Sequence, residues 1–373
     1  MFYQSIDTVA KHKSGSNTRS PKGHRSPFVF EKTQFDDEEL IEKLKKRNPN
    51  RPRTVVNRKD LEKIEERNSD LLPKYSAFDT DFSNPEWAKT ICIGNDEKRC
   101  GGKLKQLDIR LKSAPAYKTL ACIIHKNMST ILEALMCFLF NEQKFRQINY
   151  VLSQECENVP LIFDRVEVQR FCSMDNDYKT LEKAKELFNL AHHEINEWLY
   201  LAIVRDPIDR FLSGYVDKCI RKYDNSSEEY CNGCQGNITC FIITEYEKVM
   251  ENSLVEFPIR NFDNYHFFPQ TWRCNFETEM QHYKLLHYSS APQHVEKFVD
   301  DLINLLRIQK VPEDSLQFIK NQITGGRTTH STITSDVRLF FEERVYSNPF
   351  LLEYIIRMFY WDYKLLGFEL PTF

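Results

Sequence analysis

One hydrophobic pattern occurs twice along the chain. In YKTLACIIHKNMSTILEALMCFLFNEQ, residues 117–143, the apolar run TLACII has β-branched members and a polar turn after it, which predicts a buried strand. STILEALMCFLF then places apolar residues at helical spacing, with Ser129 or Thr130 near the helix start. In NEWLYLAIVRDPIDRFLSGYVDKCIRKY, residues 196–223, WLYLAIV is a second buried strand. Pro207 suits the first turn of a helix that continues through DRFLSGYVDKCI. Between these units DYKTLEKAKELFNLAHHEINE is patterned as an amphipathic helix. Strands alternating with helices predict an α/β fold with a mostly parallel central sheet flanked by helices. The C-terminal part is mainly helical, in VEKFVDDLINLLRIQ, SDVRLFFEERVYS and PFLLEYIIRMFYWDYKLL.

The N-terminal end differs in kind. Residues 1–35 are polar, basic and turn-rich, a composition that does not form a core. FDDEELIEKLKKRNPN and RKDLEKIEERN alternate charges at helical spacing and predict exposed helices, in the manner of a stem. The expected division is a poorly ordered, charged region over 1–85 and a folded domain over 86–373. The 373 residues are 41% hydrophobic with a net charge of -3, so no global basic field points to nucleic acid.

Cysteine usage changes the compartment. Of 11 cysteines, Cys231, Cys234, Cys240 and Cys274 fall in one region, three of them in CNGCQGNITC. A zinc site lacks a matching second ligand pair at the usual spacing, so disulfides are the better reading. Asn225-Ser-Ser and Asn237-Ile-Thr are glycosylation sequons in the same region. These features favour a lumenal setting. No run of about 18 apolar residues predicts a transmembrane helix, and the first residues lack the apolar stretch of a signal peptide. Either an upstream segment is missing from the sequence or the chain is not secretory.

The turns after the two strands carry the chemistry. A helix N-terminus offers free N–H groups and partial positive charge, which favour an anion. In HKNMST, Lys126 adds a cation, and Ser129 and Thr130 add hydroxyl donors. A nucleotide triphosphatase loop would carry glycines, and this one has none. Asn127-Met-Ser is also a sequon, expected to stay unused in a binding loop. At the second strand, Arg205 stands at the carboxyl end, where open α/β sheets bind ligands. Its guanidinium fork suits a phosphate, and Ser213 follows two helical turns later. The alternative is a structural Arg–Asp ion pair and a buried serine.

The pair of motifs, K-x-x-S-T after the first strand and R-D-P-x-x-R-F-x-S-x-Y after the second, resembles the sulfotransferases that use 3′-phosphoadenosine 5′-phosphosulfate (PAPS). The second motif is similar to the Golgi carbohydrate sulfotransferases of the chondroitin 4-O branch, and IIHKNMSTILEALMC to a nematode-type version of it. YHFFPQTWRC and the stretch from TTHSTITSD to the C-terminus add to a resemblance covering residues 115–373. It implies a P-loop-like sulfotransferase fold and sulfuryl transfer from PAPS, without a metal, to a glycosaminoglycan or glycoprotein glycan, with chondroitin 4-O the first expectation. It also implies a Golgi lumen or membrane setting. Lys126, Ser129 and Thr130, with the backbone amides of Asn127, Met128, Ser129 and Thr130, would bind the 5′-phosphosulfate. Arg205 and Ser213 would bind the 3′-phosphate, with Arg210 a supporting charge or a helix-surface partner of Asp206. His125 and Met128 stand where the family has Pro and Gly or Ala.

Transfer to a hydroxyl calls for a base. His266 is the first candidate, as a loop histidine near neutral pKa. Asp164 and Glu167 are alternatives, and His192 and His193 weaker ones. Arg327, in a Gly-hinged loop, is a candidate for closing over the nucleotide. Arg273, Lys284 and Arg327 are candidate contacts for an anionic acceptor. Competing functions are a small-molecule kinase with a P-loop-like site and a non-catalytic glycan-binding relative.

Overall fold

The computed structural model describes residues 75–147, 176–188, 197–221, 230–234, 237–289, 291–325 and 336–372. All lie in the second of two units into which the chain divides, Asp36–Phe373. The expectations for the N-terminal stem, Asn225, Asp164, Glu167, His192, His193 and Arg327 fall outside the described residues.

Five strands form one sheet: β1 (Leu111–Ala114), β2 (Thr119–Cys122), β3 (Asp177–Tyr178), β4 (Leu199–Arg205) and β5 (Tyr283–Tyr288), in the order β3-β1-β2-β4-β5. β2, β4 and β5 are parallel, and β1 runs against both β2 and β3. The helices are α1 (Ser129–Phe140), α2 (Glu142–Gln147), α3 (Leu181–Leu187), α4 (Pro207–Tyr215), α5 (Ile238–Ser253), α6 (Phe262–Phe267), α7 (Phe276–Glu279), α8 (Pro292–Ile308), α9 (Glu313–Gly325), α10 (Asp336–Tyr346) and α11 (Pro349–Leu366).

β4 shows why the sheet is central. All seven of its residues are buried. Leu199, Leu201 and Ile203 pack with apolar residues of α1, α8 and α9. Tyr200, Ala202 and Val204 pack on the other side with Leu181, Ala184 and Phe276. The period of two thus builds a core on each face, as expected for a strand covered on both sides. A third core joins α4, α5, α10 and α11 around Trp87 and Trp272.

Three expectations shift. The segment from Asp177 opens as strand β3, and its helix begins only at Leu181, where the Thr180 hydroxyl caps Lys183 N. The helix after Pro207 changes to a π-helix over Val216–Arg221. Packing starts ahead of residue 86: Ser76 and Thr80 donate to the buried Glu353 carboxylate, which also holds Arg357.

The cysteines form disulfides, with Cys92–Cys100, Cys122–Cys274, Cys219–Cys231 and Cys234–Cys240 among the described residues. Cys274 therefore pairs with the end of β2, outside the region of its sequence neighbours.

Parallel pairing runs from Thr119↔Leu199 to Cys122↔Ala202 and from Tyr200↔Tyr283 to Arg205↔Tyr288. The carboxyl ends of β2 and β4 therefore lie side by side, and the two turns that follow them emerge at one edge. α4 reaches this edge by close packing: a Cβ on Gly214 would sit 2.8 Å from Phe267 Cε1. Gly214→Ala is expected to lower stability by about 1–3 kcal/mol through overpacking, read as a reduced urea midpoint at unchanged m-value.

Candidate active site

The loop from β2 to α1 bends through left-handed backbone at Lys126 (φ 69) and Met128 (φ 56). Glycine takes these angles freely, whereas other residues lose roughly 1–2 kcal/mol at each. Asn127, between them, is buried, and its Nδ2 donates to Ile203 O at 2.8 Å and to Gln270 Oε1 at 2.6 Å. Its own N–H donates to Ile124 O. Asn127 is thus a structural pin whose N–H and Nδ2 are both committed within the protein. The committed Nδ2 also fits an unused sequon.

α1 starts without a side-chain cap from Met128. The first-turn amides of Ser129 and Thr130 have no partner within the helix, and both side chains are half-buried beside them. Two hydroxyls, the helix start and Lys126 make a donor set suited to an anion.

Lys126 is nearly enclosed, its side chain 8% exposed, and its Nζ donates to Asp217 Oδ2 at 2.9 Å. Asp217, on the π-helix, also takes Lys218 Nζ at 3.0 Å. Burial pulls the Lys126 ammonium down to about 8 despite Asp217, and Lys218 and Arg205 add to the fall.

Arg205 ends β4 as the sequence predicts, and its carboxylate partner is Asp209. Nε and Nη2 grip the Asp209 carboxylate at 2.7 and 3.0 Å, and Nη1 donates to Lys126 O at 3.0 Å. Three of the five guanidinium N–H groups are so used. The i,i+4 spacing puts Asp209 over Arg205 on the first turn of α4, while Asp206 caps that turn through Asp209 N. Arg338 of α10 binds the same Asp209 at 2.7 Å. Ser213 is buried on α4, one turn before Asp217.

His266 is not in a loop. It lies on α6, and its ring centroid is 4.8 Å from that of His125, the residue before Lys126. Its Nδ1 donates to Phe262 O at 2.6 Å. A carbonyl only accepts, so Nδ1 carries the hydrogen and Nε2 keeps its lone pair. Burial, then the charges of Lys218 and Lys126, pull its pKa down to about 3 rather than near neutrality.

Arg210 is buried, not a surface partner of Asp206. It donates to His125 O and Phe268 O, and burial next to Arg273 brings it down to about 9. Arg273 is buried on Asn264 O and Tyr265 O, which removes it from contact with an acceptor. Lys284 is exposed on β5 opposite Leu201, four residues or about 13 Å along the strand from the level of Arg205. It belongs to the far end of the sheet.

Sequence reasoning missed Asp209, Asp217, Gln270 and Arg338. Asp209 and Asp217 stand four residues after Arg205 and Ser213, a helical spacing that was available as a signal. Gln270 and Arg338 act across long separations and left none.

Two parallel strands that end in a cationic, anion-ready turn define a P-loop-like group-transfer site. Residues 110–369 match the Sulfotransferase family, and the chain belongs to that family. It is similar to the uncharacterized protein C18B2.2 of Caenorhabditis elegans, 35% identical over 76% of this chain and 75% of that one. The putative sulfotransferase vep-2 of the same organism is 32% identical over 69% and 75%. Its carbohydrate sulfotransferase chst-1 is 29% identical over 69% and 74%. No solved structure matches the chain significantly.

Asp209 holds two arginines, and its own pKa reports it: burial would raise the carboxyl, but Arg205 and Arg338 hold it at about 2. A depressed carboxyl contributes stability in full above its unfolded pKa near 3.8, lost as pH falls toward 2. Asp209→Asn is expected to cost about 3 kcal/mol at neutral pH, since it strands buried cations. It should also flatten the fall in stability between pH 4 and 2, measured by urea titration at each pH.

Proposed function

We propose that the protein transfers a sulfuryl group from PAPS to a sugar hydroxyl of a glycosaminoglycan, with chondroitin at its 4-O position the acceptor, in the lumen of the Golgi. The observation that carries this reading is that His266 stands against His125, the residue before Lys126, in the loop that leads into α1. A cation for a leaving oxygen and a neutral imidazole for an attacking hydroxyl lie in one place. The relative named as a carbohydrate sulfotransferase supports a sugar as acceptor. The disulfides support an oxidising, lumenal compartment. Among the described residues no helix is long and apolar enough to cross a membrane.

The donor set fits PAPS at its sulfuryl end: uncapped first-turn amides, the Ser129 and Thr130 hydroxyls, and Lys126. Bound PAPS supplies the sulfuryl group, and 3′-phosphoadenosine 5′-phosphate is the product left behind. Lys126 neutralises charge that grows on the departing phosphate oxygen, which is where such a reaction needs help. His266 Nε2 accepts the proton of the sugar hydroxyl as its oxygen bonds to sulfur. The ring is a weak base in the free protein because it is buried and has cations around it. An anion against Lys126 offsets those cations and raises the proton affinity of Nε2 when it is needed. Arg205 and Ser213 are assigned to the 3′-phosphate. Arg205 keeps two N–H groups beyond those on Asp209 and Lys126 O.

The salt bridge of Lys126 to Asp217 favours one competing reading, a relative that binds nucleotide and glycan without transfer. Calorimetry with 3′-phosphoadenosine 5′-phosphate and a radiolabelled transfer assay separate the two. Binding with transfer to desulfated chondroitin is expected; binding without transfer to any sugar would favour the competitor, and no binding at millimolar concentration would sink both. Arg205→Lys, which keeps charge but loses the fork, should weaken product binding about tenfold. Lys126→Ala should lower kcat by about 100-fold or more with a smaller change in binding.

The pH profile gives an independent check. Lys126 must be protonated, and in the free protein it loses its proton above about 8. The kcat/KM profile, which reports free-enzyme groups, should therefore fall above about pH 8. The alkaline limb of kcat should lie at higher pH, because a bound anion holds the proton on Lys126. Coincident limbs would remove Lys126 from the titration.

A further inference from the structure

The cysteine-rich turn has no part in the chemistry above, yet it stands beside it. Tyr230 is 47% exposed and Phe262 36% exposed, with ring centroids 4.6 Å apart. The Phe262 ring has two further neighbours: His266 at 4.5 Å and the Lys218 ammonium at 5.7 Å. Lys218 in turn shares the Asp217 carboxylate with Lys126. The order from solvent inward is Tyr230, Phe262, then Lys218 and His266, then Lys126.

We propose that Tyr230, Phe262 and Lys218 form the subsite for the acceptor sugar ring next to the reacting hydroxyl, and that the subsite selects a ring bearing a carboxylate. The proposal rests on the transfer reading given above. A pyranose has apolar C–H faces and a polar edge. The exposed aromatic pair offers apolar area to such a face, while Lys218 stands at the ring edge with N–H groups beyond the one on Asp217. A uronate ring held there places the neighbouring sugar, which carries the reacting hydroxyl, on the inward side toward His266.

The surroundings fix this platform in place. Lys218 precedes Cys219 and Tyr230 precedes Cys231, and these two cysteines are bonded to each other. The disulfide therefore clamps the cation beside the tyrosine. Asn232 N donates to Asp263 Oδ2 at 3.3 Å, which ties the turn to the first residues of α6 and so to Phe262. Cys234–Cys240 fastens the other side of the turn to α5. A preorganised platform loses less entropy when a flexible glycan binds.

The test uses desulfated chondroitin and its carboxyl-reduced derivative as acceptors for the full chain and for Phe262→Ala, Phe262→Tyr and Lys218→Met. Phe262→Ala should raise the acceptor KM by about 5–10-fold, the scale of one lost aromatic contact. Its kcat should move far less, its affinity for 3′-phosphoadenosine 5′-phosphate should hold, and Phe262→Tyr should recover the KM. Carboxyl reduction should raise the wild-type KM about fivefold and add nothing further in Lys218→Met. An unchanged KM in Phe262→Ala, or full additivity of Lys218→Met with carboxyl reduction, would overturn the subsite. If the wild type transfers to no sugar, the transfer reading has failed by itself. The subsite is then read by calorimetric titration of a chondroitin hexasaccharide: weaker binding to Phe262→Ala than to wild type supports it, and equal binding overturns it.

Discussion

The buried amide of Gln270 decides where the two halves of the site stand. Its Oε1 accepts from Asn127 Nδ2 and from Arg205 N, and its Nε2 donates to Arg205 O. Its own N–H rests on Asp362 of α11. The end of a parallel strand is where the chain leaves the ladder and its polar groups need new partners. Gln270 supplies them for β4 and, with the same oxygen, holds the loop that follows β2. The separation between Lys126 and Arg205 is therefore set by one side chain anchored to the last helix. Losing it would leave several buried groups unpaired at once, and such groups are far more costly than the net value of one hydrogen bond.

On that frame sits an excess of positive charge. Lys126 and Lys218 share Asp217, and Arg205 and Arg338 share Asp209. Arg210 and Arg273 bind backbone carbonyls, which neutralise nothing. Burial and this excess together depress Lys126 and His266, to about 8 and about 3. Buried cations that disfavour one another are relieved by an anion, so the field that makes the free site costly is the same field that favours an anion there. The two aspartates keep the cations aimed in its absence.

Much of this frame was legible in the chain. β2, α1, β4, α4 and α11 follow from periodicity because each is long or strongly apolar, and α1 and α11 span the residues their patterns predict. β1 and β3 were not legible. They are four and two residues long, and pairing with β2 and with each other, not an apolar pattern, makes them strands. The environment of His266 was also hidden, since its neutrality comes from burial and from lysines about 50 and 140 residues away in sequence. The partner of Arg205 was half legible: an Arg–Asp pair was one reading of the motif, and the helix that Pro207 starts brings Asp209 within reach.

Residues 269–274 explain how a loop without glycine keeps its shape. This one segment sends Gln270 to Asn127 and Arg205, packs Arg273 behind His125, and joins Cys274 to Cys122 at the foot of the loop. A P-loop takes left-handed turns by glycine freedom. Here Lys126 and Met128 take them under restraint from outside, by hydrogen bonds to Asn127 and the Lys126 carbonyl and by a covalent tie at the strand end. A shape imposed from outside depends less on the residues that adopt it. That is how a loop built on His125 and Met128, with no glycine, holds Lys126 in place ahead of the Ser129 and Thr130 hydroxyls.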